Sequence, residues 1–368
     1  MLLEQARYKL TIGVTMDTFM DAFCPTASQV RAPYSQLNNL LYKSYLPLII
    51  NSAAEIGLFD VLSAGTSLLE KLAEELNANV HVLDALLDVL EAVGLVAVQD
   101  GCYTLTSMSG TYLVSSSKVN QLRALRGFSG SRGPFDNLVE ALRHDHVKTF
   151  NNRIWASEEA ALSMEQVSKA GMIQEVVSFM KSIPGFSGAR RMCDIAGSIG
   201  YYSLAMLREN DGLQAHVYDL PEVCAIARKV KRDDEHFERV TFHDFDITGS
   251  SWVDDGFDLF FCSHFLYEFG AKGTLVDFLK KVNASLKPGG YFVSSHISSY
   301  TTEENRLTFA MVELMTRAMG YPTHTLPKET LKEALGKAGF GDFTIQEPNE
   351  DLAFATMLLS ARKLQEIL

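Results

Sequence analysis

The sequence predicts an α/β protein: a mostly parallel sheet with helices on both faces, finished by an antiparallel hairpin and preceded by a mainly helical unit of winged-helix type. Three observations predict it. From Arg190 onward, short apolar runs alternate with helix-like stretches, the texture of strand-helix-strand crossovers. Upstream, two amphipathic helices run into a hairpin signal at Asp100-Gly101. The length of 368 residues exceeds what one core ordinarily fills and fits two compact units.

From Leu37 the pattern LNNLLYKSYLPLIINSAAEIGLFDVL places apolar residues at helical intervals on more than one face, so this stretch needs a partner. SLLEKLAEEL and VHVLDALLDVLEAVGL read as two amphipathic helices, the second stopped at Gly94. GLVAVQDGCYTLT then alternates about Asp100-Gly101 and completes helix, helix and hairpin. A winged helix can read DNA, yet the second helix presents Asp84, Asp88 and Glu91 with no Lys or Arg between Val80 and Val93, and such a face repels phosphates. Packing and dimerisation are the expected roles instead.

Residues from about 120 to 190 read as helices joined by loops, with a break at Ser129-Gly130-Ser131-Arg132-Gly133-Pro134 and a closing turn at Ile183-Pro184-Gly185. Strands follow in RMCDIAG, LQAHVYD, RVTFHDF, FDLFFCS and YFVSSH; GDFTIQE and LAFATMLLSARK form the late hairpin. The expected boundaries are 1–118 for the helical winged-helix-like unit, 119–186 for a helical linker that also lines a substrate pocket, and 187–368 for the sheet domain.

Composition narrows the function. Hydrophobic residues make up 47% and charged residues 21%, enough apolar surface for packed cores and no sign of disorder. The net charge of −12 argues against a grip on nucleic-acid backbones. The N-terminus lacks the apolar stretch of a signal peptide and no run approaches the roughly 18 residues of a membrane span, so the cytoplasm is expected and a membrane is not. Five scattered cysteines without a CxxC pair suggest neither a disulfide framework nor a zinc site.

The chemistry gathers at the strand ends. The first strand of the sheet domain runs into Asp194-Ile195-Ala196-Gly197-Ser198-Ile199-Gly200, a turn of small residues that lets a ligand approach the backbone beside a helix N-terminus. The next strand ends in Asp219, placed where a carboxylate grips a ribose diol in nucleotide-binding α/β units. A third strand ends in Asp244-Phe245, an acid beside an aromatic ring.

In this order, DIAGSIG, VYDLPEV, RVTFHDFD, FCSHFLYEF and LKPGGYFV resemble the S-adenosylmethionine-dependent O-methyltransferases of the plant caffeic-acid and bacterial polyketide type, over residues from about 37 to 360. The resemblance implies a Rossmann-like methyltransferase domain, a winged-helix domain exchanged across a homodimer, and S-adenosyl-L-methionine as cofactor. It implies that Ala196 and Gly197, with Asp194 and Gly200, lie against the methionine part and that Asp219 with Leu220 holds the ribose. Asp244 and Phe245 frame the adenine, and Ser263 sits near it or the carboxylate.

Two departures bear on function. The glycine-rich turn of the family carries Ala196 and Ser198 here, and its His-Asp-Trp triplet, the source of the proton acceptor, is Tyr267-Glu268-Phe269. A free Tyr is roughly 0.1% ionised at neutral pH, so Tyr267 suits orienting the acceptor better than taking its proton. His296, where the family often has Glu, is the expected base. His264 and His324 reach the same rim; a metal held by two or three His is a reading the local spacing does not demand, and no metal is assigned. Met172, Phe179, Met311 and Met315 are expected to wall a pocket for a hydrophobic, aromatic small molecule. The reaction expected is methyl transfer to a hydroxyl or an acidic carbon. The alternatives are a relative with lost or altered transfer chemistry and a metabolite-sensing winged-helix regulator.

Overall fold

Leucine spacing builds the N-terminal unit. The apolar stretch around Leu37 forms three helices, α1 (Ser28–Lys43), α2 (Leu46–Glu55) and α3 (Leu58–Ser63), the last entered through Gly57 at φ 82°. A strand that the sequence pattern did not signal, β1 (Ser67–Leu68), precedes α4 (Leu69–Glu75). Next, α5 (Val80–Ala92) is capped by the Asn79 side chain, which accepts from the backbone N–H of His81 and Val82. Its Leu83, Leu87 and Leu90 are buried with Leu58, Phe59 and Leu62 of α3 in one cluster. The hairpin of β2 (Val96–Gln99) and β3 (Cys102–Leu105) turns at Asp100 and Gly101, both left-handed at φ 51° and 76°, as a type I′ turn requires. β1 pairs with β3, which completes the wing, and α6 (Ser107–Tyr112) follows. The computed structural model describes residues 28–129, 135, 138–143, 156–247, 252–299, 303 and 305–364.

Helices α7 (Leu122–Ser129), α8 (Leu138–Arg143), α9 (Glu158–Lys169) and α10 (Met172–Ser182) lead to the sheet; residues 130–134 of the expected break lie outside the described residues. SMEQVSKAGMIQEVVSFM reads as one helix in sequence but is divided between α9 and α10 at Gly171, whose φ is 118°. A Cβ at Gly171 would lie 2.4 Å from the Leu352 side chain, so the closeness of the two segments also calls for glycine.

The sheet contains β4 (Arg191–Ile195), β5 (Gln214–Asp219), β6 (Val240–Asp244), β7 (Phe257–Ser263), β8 (Leu286–His296), β9 (Phe340–Gln346) and β10 (Met357–Lys363). Their order is β6-β5-β4-β7-β8-β10-β9, parallel except for β10, which runs antiparallel to both neighbours. Between the strands lie α11 (Tyr201–Glu209), α12 (Pro221–Val230), α13 (Tyr267–Lys272), α14 (Leu275–Ser285), α15 (Arg306–Ala318) and α16 (Lys328–Lys337).

Successive strand residues fall into opposite cores, as a sheet covered on both faces requires. Met192, Val217, Leu259 and Phe261 pack with α10 and α11, whereas Cys193, Ile195, Phe260 and Cys262 pack with α14 and α16. Strand order reverses between β4 and β7, and in open sheets of this kind the carboxyl ends beside the reversal border a ligand crevice. Among the described residues no helix is long and apolar enough to cross a membrane.

Candidate active site

The turn after β4 forms the first wall. Ala196, Ser198 and Gly200 all have positive φ, at 54°, 52° and 74°, so the backbone adopts a conformation that favours glycine although two of the three residues carry a Cβ. Left-handed backbone costs such residues on the order of 1 kcal/mol each, a strain the surrounding fold must sustain. Gly197 lies directly over the Asp194 carboxyl. Asp194 is 1% exposed, accepts from the Ser203 hydroxyl at 2.6 Å, and is pushed by burial up to about 7.

Asp219 ends β5 beside this turn. Its carboxylate accepts from the backbone N–H of Ser198 and of Leu220, each at 2.8 Å, and so ties the turn to the start of α12. Burial raises its pKa to about 6, because those two bonds do not offset the loss of water. The Phe245 N–H donates to the Asp219 carbonyl at 2.8 Å, joining the ends of β5 and β6. Phe245 is buried edge-on against Tyr218 and Trp252. Asp244 differs: its side chain is 52% exposed and pairs with Arg228 at 2.9 Å.

Beyond the reversal, β7 ends in Ser263, whose hydroxyl is buried without a hydrogen-bond partner. His264 follows at φ 50° and donates its N–H to the Ser295 carbonyl at 2.8 Å. Tyr267 opens α13 and stacks on His324 with ring centroids 4.4 Å apart; Tyr321 meets Tyr267 edge-on at 5.6 Å. The Tyr267 hydroxyl is pushed by burial up to about 12, so it is a donor at neutral pH. The second residue of the substituted triplet, Glu268, is buried and paired with Lys272.

His296, read from sequence as the base, is 2% exposed at the end of β8. Its Nε2 is sealed from solvent without a partner and Nδ1 lies 3.3 Å from the Ser294 hydroxyl, so the imidazole sits beneath the rim, where neither nitrogen faces open space. Of the four expected pocket residues, Phe179 is packed in the sheet core with Val176 and Met180, because its helix buries that face. Met172 is 5% exposed, Met315 is half-buried and Met311 is 45% exposed. Thr316 and Glu313, which fasten the segment carrying His324, carried no signal in sequence beyond helical spacing.

At the rim His264 and His324 meet with ring centroids 5.8 Å apart. Among the described residues one group brings three ligand-type atoms within 4.8 Å, and it is His216, His243 and Asp254. There the two rings satisfy each other at 3.0 Å and the Arg191 guanidinium stands 4.0 Å from Asp254, which leaves a cation facing repulsion.

Burial governs the acid response. It lowers His264 to about 3, His216, His296 and His324 to about 4, and His243 below the usual imidazole value. Those imidazoles bind protons in the unfolded chain and not in the fold, so stability rises with pH across that window. Asp194 and Asp219 act oppositely, since their raised values confer stability below the unfolded value that is lost as pH climbs through about 6 to 7. Five imidazoles outweigh two carboxyls, and Glu165 and Glu313, both held low overall by cationic and hydrogen-bond partners against the opposing effect of burial, add to the imidazoles. The melting temperature of the ligand-free protein is therefore expected to rise between about pH 4.5 and 6.5. A melting temperature that falls across this window contradicts the account.

Comparisons with known proteins bear directly on this crevice. An O-methyltransferase dimerisation domain model matches residues 38–115, and an O-methyltransferase domain model matches residues 136–341, more than half of the chain. Acetylserotonin O-methyltransferase of Macaca mulatta is 26% identical over 345 residues, covering 85% of this chain and 94% of that protein. An uncharacterised protein of Methanocaldococcus jannaschii is 25% identical over 260 residues, 68% of this chain and 67% of that one. The crystal structure of human N-acetylserotonin methyltransferase in complex with SAM superposes with a TM-score of 0.68 at 21% identity, covering 91% of this chain and 98% of that chain. The crevice at the reversal of the sheet, the dimerisation unit before it and the two family matches agree: the chain belongs to the O-methyltransferase family and is an S-adenosylmethionine-dependent methyltransferase.

Proposed function

We propose that this enzyme methylates a phenolic hydroxyl of a flat, hydrophobic aromatic small molecule, as a cytoplasmic homodimer joined through its N-terminal domain. The observation that carries the reading is the buried Asp219 carboxylate, raised to about 6 by burial and bonded, among the described residues, to two backbone N–H groups. It has acceptor capacity left for a diol, and a group that loses hydration this way gains from a hydrogen-bonding or cationic ligand.

The residues present fit S-adenosylmethionine. Gly197 keeps the backbone against Asp194 with no side chain between, so a ligand can lie close to the turn. In this reading Ala196, Gly197 and Gly200 border the methionine part, Asp219 and Leu220 the ribose, and Asp244 with Phe245 the adenine, Asp244 exchanging its Arg228 contact for the purine. When bound, the cofactor supplies an electrophilic methyl group on a sulfonium. The protein's own contribution is then alignment and exclusion of water. Tyr267 donates to and orients the acceptor, His296 forms the uncharged floor, and Met172, Met311 and Met315 border an aromatic ring. The acceptor class is supported by the relative named for acetylserotonin, an indole bearing a phenolic hydroxyl. Homodimerisation is supported by the dimerisation-domain match and by the apolar face of α1 and α2, where Leu37, Leu40, Leu41 and Tyr45 are all more than half exposed.

The test is calorimetry with S-adenosylhomocysteine, then incubation with S-adenosylmethionine and a panel of N-acetylserotonin, catechol and naphthol, read by mass. Micromolar binding and a methylated phenol are expected. Absence of binding at millimolar ligand sinks the reading.

A further inference from the structure

The rim offers three imidazoles and lacks the His of the family triplet, so which nitrogen can take a proton is a question of hydrogen-bond direction. Thr316 lies on α15, fully buried. Its hydroxyl has one proton to donate, and the Val312 carbonyl one turn back accepts it at 2.8 Å. The same oxygen lies 3.1 Å from His324 Nδ1, a contact in which the donor depends on the ring's tautomer; with the Thr316 proton on the Val312 carbonyl, the ring nitrogen is the donor. Nδ1 therefore carries the hydrogen, and the lone pair of the neutral ring is on Nε2. Among the described residues Nε2 has no hydrogen-bond partner, and it is not among the sealed atoms that include His296 Nε2. The backbone beside it is fixed as well, because the His324 N–H donates to Glu313 at 2.9 Å while Arg317 pairs with the other Glu313 oxygen atom at 2.8 Å. The ring is pressed against Tyr267, the residue standing where the family's base is found.

We propose that His324 is the proton acceptor of this methyltransferase, an imidazole supplied from the loop after α15 in place of one at the start of α13, with Thr316 as the positioning residue that fixes its tautomer. The inference rests on the O-methylation reading above. In the step, the acceptor's O–H bond breaks and its proton moves to His324 Nε2. The electron pair left on oxygen forms the new O–CH3 bond, and the pair of the breaking C–S bond returns to sulfur. The imidazolium keeps its Nδ1–H on Thr316 and releases the other proton to solvent.

The groups facing the ring set its pH response. They are Tyr267 on α13, Tyr321 on its own loop, His264 after β7 with a ring centroid 5.8 Å away, and Glu313 with its Arg317 partner on α15. Burial holds His324 down to about 4, Glu313 opposes this, and the ring is the free base at neutral pH.

Two measurements decide the proposal. In the ligand-free protein, nitrogen-15 NMR is expected to show His324 as the neutral Nδ1–H tautomer, and Thr316→Val is expected to lose that preference while Thr316→Ser keeps it. A wild-type ring protonated on Nε2 overturns the proposal whatever the assays give. With the panel phenols, His324→Gln is expected to lower kcat by about 10²–10⁴-fold while S-adenosylhomocysteine affinity stays within twofold, with partial rescue of His324→Ala by added imidazole. If His324→Gln turns over like wild type, the base lies elsewhere and the methyltransferase reading stands; if wild type binds no S-adenosylhomocysteine, it is that reading which fails.

Discussion

Asp219→Ala is expected to weaken S-adenosylhomocysteine binding by about 10²–10⁴-fold, since one or two hydrogen bonds to a charged acceptor are lost, each on the order of 1.5–3 kcal/mol. The fold is expected to tolerate the change. The carboxylate is held at about 6 because burial penalises its charge, so at neutral pH its removal relieves desolvation while the Ser198 and Leu220 N–H groups lose an acceptor. These opposing effects leave the melting temperature within a few degrees. Asp219→Asn keeps one acceptor oxygen and is expected to fall between the two proteins in affinity. Calorimetry at pH 7.5 beside a thermal scan separates the outcomes: unchanged affinity for Asp219→Ala removes the ribose role, and loss of folding in both variants would give the residue a structural part instead.

The second large effect concerns assembly. Leu40 and Leu41 are 67% and 55% exposed on α1, with Leu37 about one turn and Tyr34 about two turns before them and Tyr45 and Leu48 beyond. A continuous apolar stripe of this kind is unfavourable in water unless covered. In a twofold dimer every substitution is present twice, so replacing both leucines by Asp removes four buried side chains at about 1.5–3 kcal/mol each and adds four carboxylates. Leu40→Asp with Leu41→Asp is expected to give a monomer at micromolar concentration by sedimentation, against a wild-type dimer. A double variant that still sediments as a dimer places the interface elsewhere.

Much of the architecture was legible because it rests on local chemistry. Asp100-Gly101 announced its hairpin since few residues accept two consecutive left-handed conformations. The sheet strands announced themselves by being apolar on both faces. The division of α9 from α10 was not legible: Gly171 within an amphipathic pattern looks like a tolerated glycine, and its φ of 118° and the approach of Leu352, from a segment far along the chain, are seen only in the structure. β1 has two residues and exists only through pairing with β3.

At the site, the acids ending β5 and β6 and the turn after β4 could be placed from spacing alone. The depth of His296 could not, because a residue at a strand's carboxyl end is open or sealed according to the loop folded over it, here the one in which the Leu326 N–H donates to the Ile297 carbonyl at 3.0 Å. His324 was visible as a candidate neighbour of the rim, but its tautomer depends on the donor state of Thr316, a three-dimensional property. Phe179 illustrates the converse: at helical spacing its ring looked like a pocket wall, and it packs in the sheet core.

Gly197 couples two parts of the molecule that a motif would treat separately. Even a methyl group there would press within 2.6 to 2.8 Å of the Asp194 carboxyl, and that carboxyl anchors the Ser203 hydroxyl in the first turn of α11. The loop crest, the acid beneath it and the opening of the helix are consequently joined through one carboxyl. Bulk introduced at the crest therefore presses on the acid to which the opening of α11 is bonded, so its effect is not confined to the loop.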